Sequence, residues 1–280
     1  MFNSIYTTGL TGFLGKSLKP HLLSSYDQII NFTRRNSIQV IRIDSEIEQN
    51  ISDSFFDLNP GEIFLNLATL YNPNPANIKD LENLIESNIF FPARTLNNIA
   101  DLKIINALSY TQLLDFKNQN IYSLTKEILK RFYEIQSSNI INVYLFDTFG
   151  SGDTRNKVTD VFIKRALLNK QIEIPENEIR INLSDSEAVC ISLMDSFKLD
   201  PGNYSIYSSN TISLESLAMK IISLCNKNVQ INKKNLGTDF FGLIQYFPKN
   251  IYREPKGYNL TDSLKKRIRE IHHNINDNDS

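Results

Sequence analysis

The chain is poor in the side chains that hold metals and disulfides. Its 280 residues include two cysteines and three histidines. Cys190 and Cys225 lie in helix-like surroundings without metal-ligand spacing, and His21, His272 and His273 add no ligand set, so no metal site is expected. An excess of one charge is also missing. Thirty Lys and Arg against 31 Asp and Glu leave a net charge of −1, which gives no electrostatic case for nucleic acid or an anionic membrane surface. No apolar run approaches the ~20 residues of a membrane span. Met1 leads directly into a strand-like segment rather than a signal peptide. Internal repeats and low-complexity linkers are absent. A soluble, cytoplasmic protein is the expectation.

What the chain does have is a strand–helix rhythm. Hydrophobic residues make up 41% of it and charged residues 22%, enough for a sizeable core and one large domain with a small appendage. Strand-like runs fall at 2–6, 29–33, 40–43, 63–67, 104–107 and 141–146. Helical periodicity covers 13–23, 81–100 and a segment bearing Tyr122 that runs to about 137. This alternation predicts an α/β fold, a Rossmann-like doubly wound parallel sheet with helices on both faces. After Phe149 the rhythm breaks into a loop with Gly150 and Gly152, followed by shorter mixed elements. Residues 1–150 are therefore expected to form the dinucleotide-binding domain, with some later segments returning to it, and 151–280 mainly a smaller C-terminal substrate-binding lobe. The polar end, 274–280, is expected to fray.

Glycines punctuate the first strand-to-helix turn: Thr8-Gly9-Leu10-Thr11-Gly12-Phe13-Leu14-Gly15. A phosphate-binding turn needs one position without Cβ for the bend, a second for close approach of backbone to pyrophosphate, and a third for helix–strand packing. Gly9, Gly12 and Gly15 supply them, at a Gly-x-x-Gly-x-x-Gly spacing that differs from the Gly-x-Gly-x-x-Gly of many dehydrogenases. The backbone of Thr11, Phe13 and Leu14 at the helix start then faces the anion. The second strand ends in Arg34-Arg35-Asn36. A carboxylate there would bind an adenosine ribose and repel a 2′-phosphate, whereas guanidinium groups match phosphate oxygens. NADPH is expected over NADH.

Tyr122 and Lys126 stand four apart on a helical segment, so both lie on one face. A free tyrosine titrates near 10, too high for rapid proton exchange at neutral pH. One positive charge at ~4.5 Å and an effective dielectric of ~20 contributes at most ~3.7 kcal/mol, which brings the phenol toward neutrality. It can then donate a proton to a carbonyl oxygen. Ser109, after the fifth strand, stands at the carboxyl end where such sheets bind ligands, and its hydroxyl suits the same oxygen.

The glycine turn, Ser109 and Tyr122-x-x-x-Lys126 resemble the extended branch of the short-chain dehydrogenase/reductases, whose members act chiefly on nucleotide sugars. The resemblance covers almost the whole chain. Residues 86–96 resemble the helix after the fourth strand of that branch, and 147–157 its substrate loop, with Phe149 where Tyr is usual and Ser151 in place of Pro. Asn66 stands where the family often has His. Residues 180–187 keep the family's Arg, as Arg180, but lose an Asp-aromatic pair. Length and detail are most similar to the CDP-paratose and CDP-abequose synthase group, which reduces a C4 ketone with NADPH in the making of surface polysaccharide sugars.

The resemblance implies that Leu67, Ala68 and Thr69 line the cofactor and that Thr69 and Tyr71 border the sugar. It further implies substrate contacts from Ser109, Asp147, Thr148, Lys157 and Arg180, the last toward a diphosphate, and a homodimer through the helices at 81–100 and 122–137. Dehydratases of the branch carry an acidic pair after the fifth strand; here the positions read Ala107-Leu108-Ser109-Tyr110, without a carboxylate. An epimerase would retain NAD through oxidation and re-reduction. NADPH-dependent C4 reduction of a CDP-, dTDP- or GDP-linked 4-keto-6-deoxy sugar is thus the first expectation. An NAD-dependent 4-epimerase and a non-catalytic NADP-binding protein remain as alternatives.

Overall fold

The computed structural model describes residues 3–35, 37–50, 58–59, 61–97, 99–208, 211–235, 248–251 and 259–278. Met1 and Asn36, named above, lie outside these, as do 2, 279 and 280. The chain divides into two compact units. One comprises Met1–Leu145, Cys190–Ile206 and Gly242–Ile251, and the other Phe146–Val189, Tyr207–Phe241 and Tyr252–Ser280.

The first half of the chain runs β1 (Ser4–Thr8), α1 (Phe13–Leu23), β2 (Gln28–Thr33), β3 (Ser37–Arg42), β4 (Ser45–Asn50), β5 (Ile63–Asn66), α2 (Ile78–Ile85), α3 (Phe91–Arg94), β6 (Lys103–Ser109), α4 (Ile121–Gln136) and β7 (Ile140–Leu145). There follow β8 (Asp147–Phe149), α5 (Val158–Leu167), β9 (Ile172–Pro175), β10 (Arg180–Ile181), β11 (Leu183–Asp185) and α6 (Ser186–Ser196). The last elements are β12 (Gly202–Ile206), β13 (Ile212–Ser213), α7 (Leu214–Leu224), β14 (Ile231–Lys234), β15 (Lys249–Asn250) and α8 (Leu260–Asn278).

A nine-stranded sheet of order β15-β12-β7-β6-β5-β1-β2-β3-β4 forms the first unit. Every neighbouring pair from β15 to β2 is parallel, whereas β2–β3 and β3–β4 are antiparallel. The fold is therefore α/β and Rossmann-like, but its sheet is mixed. The third strand does not return through a helix, because the short link from Thr33 to Ser37 cannot make a parallel crossover. It folds back instead, and β4 ends the sheet as a fully exposed edge bearing Glu46 and Glu48, charges that discourage further pairing. Interior strands read as near-continuous apolar runs because helices cover both faces. On the α4 face Phe64, Ile104, Leu129, Tyr133 and Ile140 form a core with Phe91 and Leu96.

That face also carries a polar row. Thr8, Asn66, Asn106 and Asn142 are in register across β1, β5, β6 and β7. Thr8 Oγ1 donates to Asn66 Oδ1 (2.7 Å), Asn66 Nδ2 to Asn106 Oδ1 (2.9 Å), Asn106 Nδ2 to Asn142 Oδ1 (3.3 Å), and Asn142 Nδ2 to Glu134 of α4 (3.0 Å). Each buried amide thus finds partners, which burial requires.

The helical segment expected over 81–100 is shorter and broken. After α2 comes a π-helical turn, Glu86–Phe90, in which the Phe91 N–H reaches back to the Glu86 carbonyl. Pro92 supplies no N–H for the Asn88 carbonyl, and the wider turn accommodates its ring. Thr95 Oγ1 then donates to the Phe91 carbonyl at 2.8 Å, and the helix has ended at Arg94. The end of the chain differs from expectation too: α8 continues through Asn278 instead of fraying at 274. Its Leu264, Ile268 and Ile271 join Phe149, Phe162, Ile163, Leu217 and Ile221 in the core of the second unit. Arg267, buried there, donates from Nη2 to Asp160 Oδ2 at 2.6 Å.

Candidate active site

In the first unit, β1 has β2 on one side and β5 on the other, so the chain changes direction across the sheet there. The carboxyl ends of β1 and β5 flank the crevice that such a switch creates, where open α/β sheets bind ligands. The glycine turn leaves β1 at that point. Gly9 has φ +77°, and a Cβ on it would come within 2.6 Å of the Leu67 carbonyl carbon and 2.7 Å of the Ala68 nitrogen. The loop after β5 thus packs directly on the turn. A Cβ on Gly15 would meet the Gly9 oxygen at 2.5 Å, and one on Gly12 would stand 3.2 Å from the same oxygen. The Gly12 N–H donates to the Gly9 carbonyl at 3.0 Å and closes the turn. Gly12 precedes α1 with no side-chain cap, and Thr11 beside it is exposed. Backbone at Thr11, Phe13 and Leu14 opens onto this uncapped helix start, whose partial positive charge suits a pyrophosphate. The donor set and the Cβ-free cradle fit a dinucleotide.

Beside the cradle, α4 brings up its charged face. Asn120 caps this helix, its Oδ1 accepting from the Ser123 N–H at 3.0 Å, and so fixes the start of the turn that carries Tyr122. Lys126 is 2% exposed, and its Nζ donates to the carbonyls of Ala68 (3.0 Å) and Ala107 (3.2 Å). Burial lowers its ammonium from 10.5 to about 7. Tyr122 is 6% exposed; its phenol oxygen accepts from Thr69 Oγ1 at 3.4 Å, and its ring meets Tyr71 edge-on with centroids 5.0 Å apart. Leu67, Ala68, Thr69 and Tyr71 therefore gather against the glycine turn on one side and Tyr122 and Lys126 on the other.

Ser109 ends β6 and caps a short 3-10 turn: its Oγ lies 2.9 Å from Thr111 Oγ1 and accepts from the Thr111 N–H at 3.3 Å. The Ser109 N–H donates to Gln112 Oε1 (3.0 Å), and Gln112 Nε2 to Glu127 of α4 (3.0 Å). Two further residues brace the site: Asn88, which the sequence did not single out, and Asn66, noted only as standing where the family often has His. Asn88, buried in the π-helical turn, accepts from the Leu70 N–H at 2.7 Å and donates to the Leu70 carbonyl (3.1 Å) and to Thr125 of α4 (3.0 Å). It ties the Thr69–Tyr71 loop to the helix of Tyr122. Asn66 holds the Ala68 N–H at 3.2 Å and thereby sets the carbonyl that Lys126 uses. Nothing in the sequence pairs these residues with their partners; an Asn in an apolar strand or helix is the sole signal.

Arg34 and Arg35 follow β2 and are exposed, with Arg34 Nη1 donating to Ser87. The remaining expected residues belong to the second unit. Asp147 and Thr148 are on β8; burial pushes the Asp147 carboxyl up to about 6 against the pull of Lys157 and Arg155. Lys157 precedes α5, and Arg180 on β10 is held by Thr211 and by Glu178 at 2.9 Å. The Arg180 guanidinium is thus engaged within its own unit. Among the described residues no cluster of His, Cys, Asp and Glu suits a metal ion, and no helix is long and apolar enough to cross a membrane.

Known proteins resemble this chain in sequence and fold. The chain is 26% identical to the CDP-abequose synthase of Yersinia pseudotuberculosis, with 94% of this chain and 99% of that protein covered. WbmF of Bordetella bronchiseptica, solved with NADH, superposes with a TM-score of 0.69 at 19% identity, covering 98% of this chain and 93% of that one. The UDP-glucose 4-epimerase of Thermus thermophilus, solved with NAD, gives 0.65 at 10% identity over 96% and 98%. These likenesses to solved structures establish the fold. Residues 5–180 match the NAD dependent epimerase/dehydratase family. With its glycine cradle and its Tyr122–Lys126 helix, this chain belongs to that family, the extended branch of the short-chain dehydrogenase/reductases, and is an oxidoreductase-type enzyme.

Proposed function

We propose that the protein reduces the C4 ketone of a nucleotide-linked 4-keto-6-deoxy sugar with NADPH, in the supply of sugars for a surface polysaccharide. The observation that carries this reading is the placement of the Tyr122 phenol and the buried Lys126 beside the loop that packs on the glycine turn. A bound reduced nicotinamide supplies hydride. Tyr122 Oη gives its proton to the C4 oxygen as charge develops there, and the Lys126 ammonium stabilises the phenolate left behind. Ser109 Oγ, already oriented by Thr111, donates a hydrogen bond to the same oxygen. Thr69 and Tyr71 flank the sugar. The family resemblance makes Asp147, Thr148, Lys157 and Arg180 further candidates for contact with the nucleotide sugar, Arg180 toward a diphosphate.

NADPH is favoured because the residues after β2, Arg34 and Arg35, present guanidinium groups and no carboxylate. Full-length likeness to a CDP-abequose synthase favours a CDP-linked substrate over a dTDP- or GDP-linked one. The second reading, an NAD-dependent 4-epimerase, is favoured by the family to which residues 5–180 belong. Phe90, Leu124, Ile128 and Ile135 are 56, 36, 54 and 81% exposed, and the last three share one face of α4, which suits a homodimer packed along that helix. A cytoplasmic setting accords with the supply of nucleotide sugars and NADPH. The test is a panel of CDP-, dTDP- and GDP-linked 4-keto-6-deoxy sugars followed by NADPH absorbance. Loss of absorbance with one sugar, abolished by Tyr122→Phe while NADPH binding persists, is the expected result. Conversion of a sugar without net cofactor consumption would establish epimerisation instead.

A further inference from the structure

Arg34 is exposed, yet its guanidinium is anchored. Nη1 donates to Ser87 Oγ at 2.5 Å, across 53 residues of sequence. Ser87 is 3% exposed and belongs to the π-helical turn Glu86–Phe90. The two neighbours in that turn serve the two sides of the crevice. Ser87 reaches the exit of β2, while Asn88 clamps the loop after β5 and bonds to Thr125 of α4. The turn bearing Arg34 has its own bracing: Thr33 Oγ1 and Ser37 Oγ are 2.7 Å apart, the Arg35 N–H donates to Thr33 Oγ1 at 3.3 Å, and Ser37 donates to Glu48. Glu48 is thereby occupied at the base of the turn. A guanidinium has five N–H donors in a planar fork, so one bond to Ser87 leaves the others for a ligand at the end of β2. Fixing a long, flexible side chain beforehand removes ordering entropy that binding would otherwise cost.

We infer that Ser87 is a positioning residue for cofactor choice, orienting Arg34 toward the 2′-phosphate of NADP(H). The inference rests on the reading of Arg34 as the phosphate partner. Calorimetric titration with NADPH and with NADH tests it on the full chain as wild type, Ser87→Ala, Ser87→Thr, Arg34→Ala and the Arg34→Ala/Ser87→Ala double variant, all at one salt concentration. Ser87→Ala should weaken NADPH about 3- to 10-fold and leave NADH within about twofold. Ser87→Thr, which keeps the hydroxyl, should restore most of the loss. In the Arg34→Ala background, Ser87→Ala should add nothing, because its effect runs through the arginine. Equal loss for both cofactors, or losses that simply add in the double variant, would overturn the role of Ser87 and mark it as packing. No effect of Ser87→Ala, with a selective NADPH loss in Arg34→Ala, would overturn Ser87 alone. Equal affinity of the wild type for both cofactors would instead remove the NADPH reading, and this inference with it.

Discussion

Lys126, the proposed partner of the Tyr122 phenol, is the most perturbed cation of the candidate site. Its Nζ is buried against two carbonyls, and burial lowers its titration to about 7. The folded protein therefore holds fewer protons here than the unfolded chain between about 7 and 10. Stability from this site must rise with pH across that window, at about 1.4 kcal/mol per unit of pH, and be lowest below 7. Lys126→Met keeps the length without the charge. Unfolding free energies from urea titrations of the two proteins at a series of pH values should diverge in favour of the wild type by about 3 kcal/mol between pH 6.5 and 9.5. A constant difference would mean that Lys126 stays charged throughout. At this scale much of the candidate site was legible in the sequence, because Tyr122 and Lys126 are linked by helical spacing and Gly9, Gly12 and Gly15 by the demands of one turn. Asn88 and Ser87 were not, because their partners, Leu70, Thr125 and Arg34, come from distant segments whose approach no local spacing encodes.

Among the elements, the sheet owes part of its register to the row Thr8–Asn66–Asn106–Asn142. Asn66 and Asn106 are fully buried, and each amide's donors and acceptors are taken up by the next strand. Removing one member strands its neighbours, and each unpaired buried group costs about 1–3 kcal/mol. Asn106→Leu should thus lower the unfolding free energy by about 2–4 kcal/mol in urea denaturation. A change under about 0.5 kcal/mol would show that solvent reaches the row. The row was not read beforehand because its members come from strands joined by long crossovers, and no local spacing says which of these strands become neighbours. The six strands expected before Phe149 were read within a few residues, whereas β4, β12 and β15 of the same sheet were not read. The antiparallel turn of β3 was missed because an apolar run looks the same in either direction, although the short link before it already excluded a crossover. The break after α2 was signalled by Pro92, yet periodicity over 81–100 outweighed it.

For the whole molecule, a net charge of −1 leaves little overall repulsion between copies in the proposed dimer. Leu124, Ile128 and Ile135 leave an apolar stripe on α4, with Ile135 81% exposed. Ile128→Asp should convert a dimer to monomer in sedimentation at micromolar concentration; a wild type that is already monomeric would remove α4 from the account of assembly. The central claim concerns the reaction. The most direct measurement uses NADPH carrying deuterium at both C4 positions of its nicotinamide, with a CDP-linked 4-keto-6-deoxy sugar, and reads the sugar by proton NMR. Net reduction predicts one deuterium at sugar C4 for each NADP formed, and none with Tyr122→Phe. A converted sugar without deuterium at C4 and without NADP formation would contradict it.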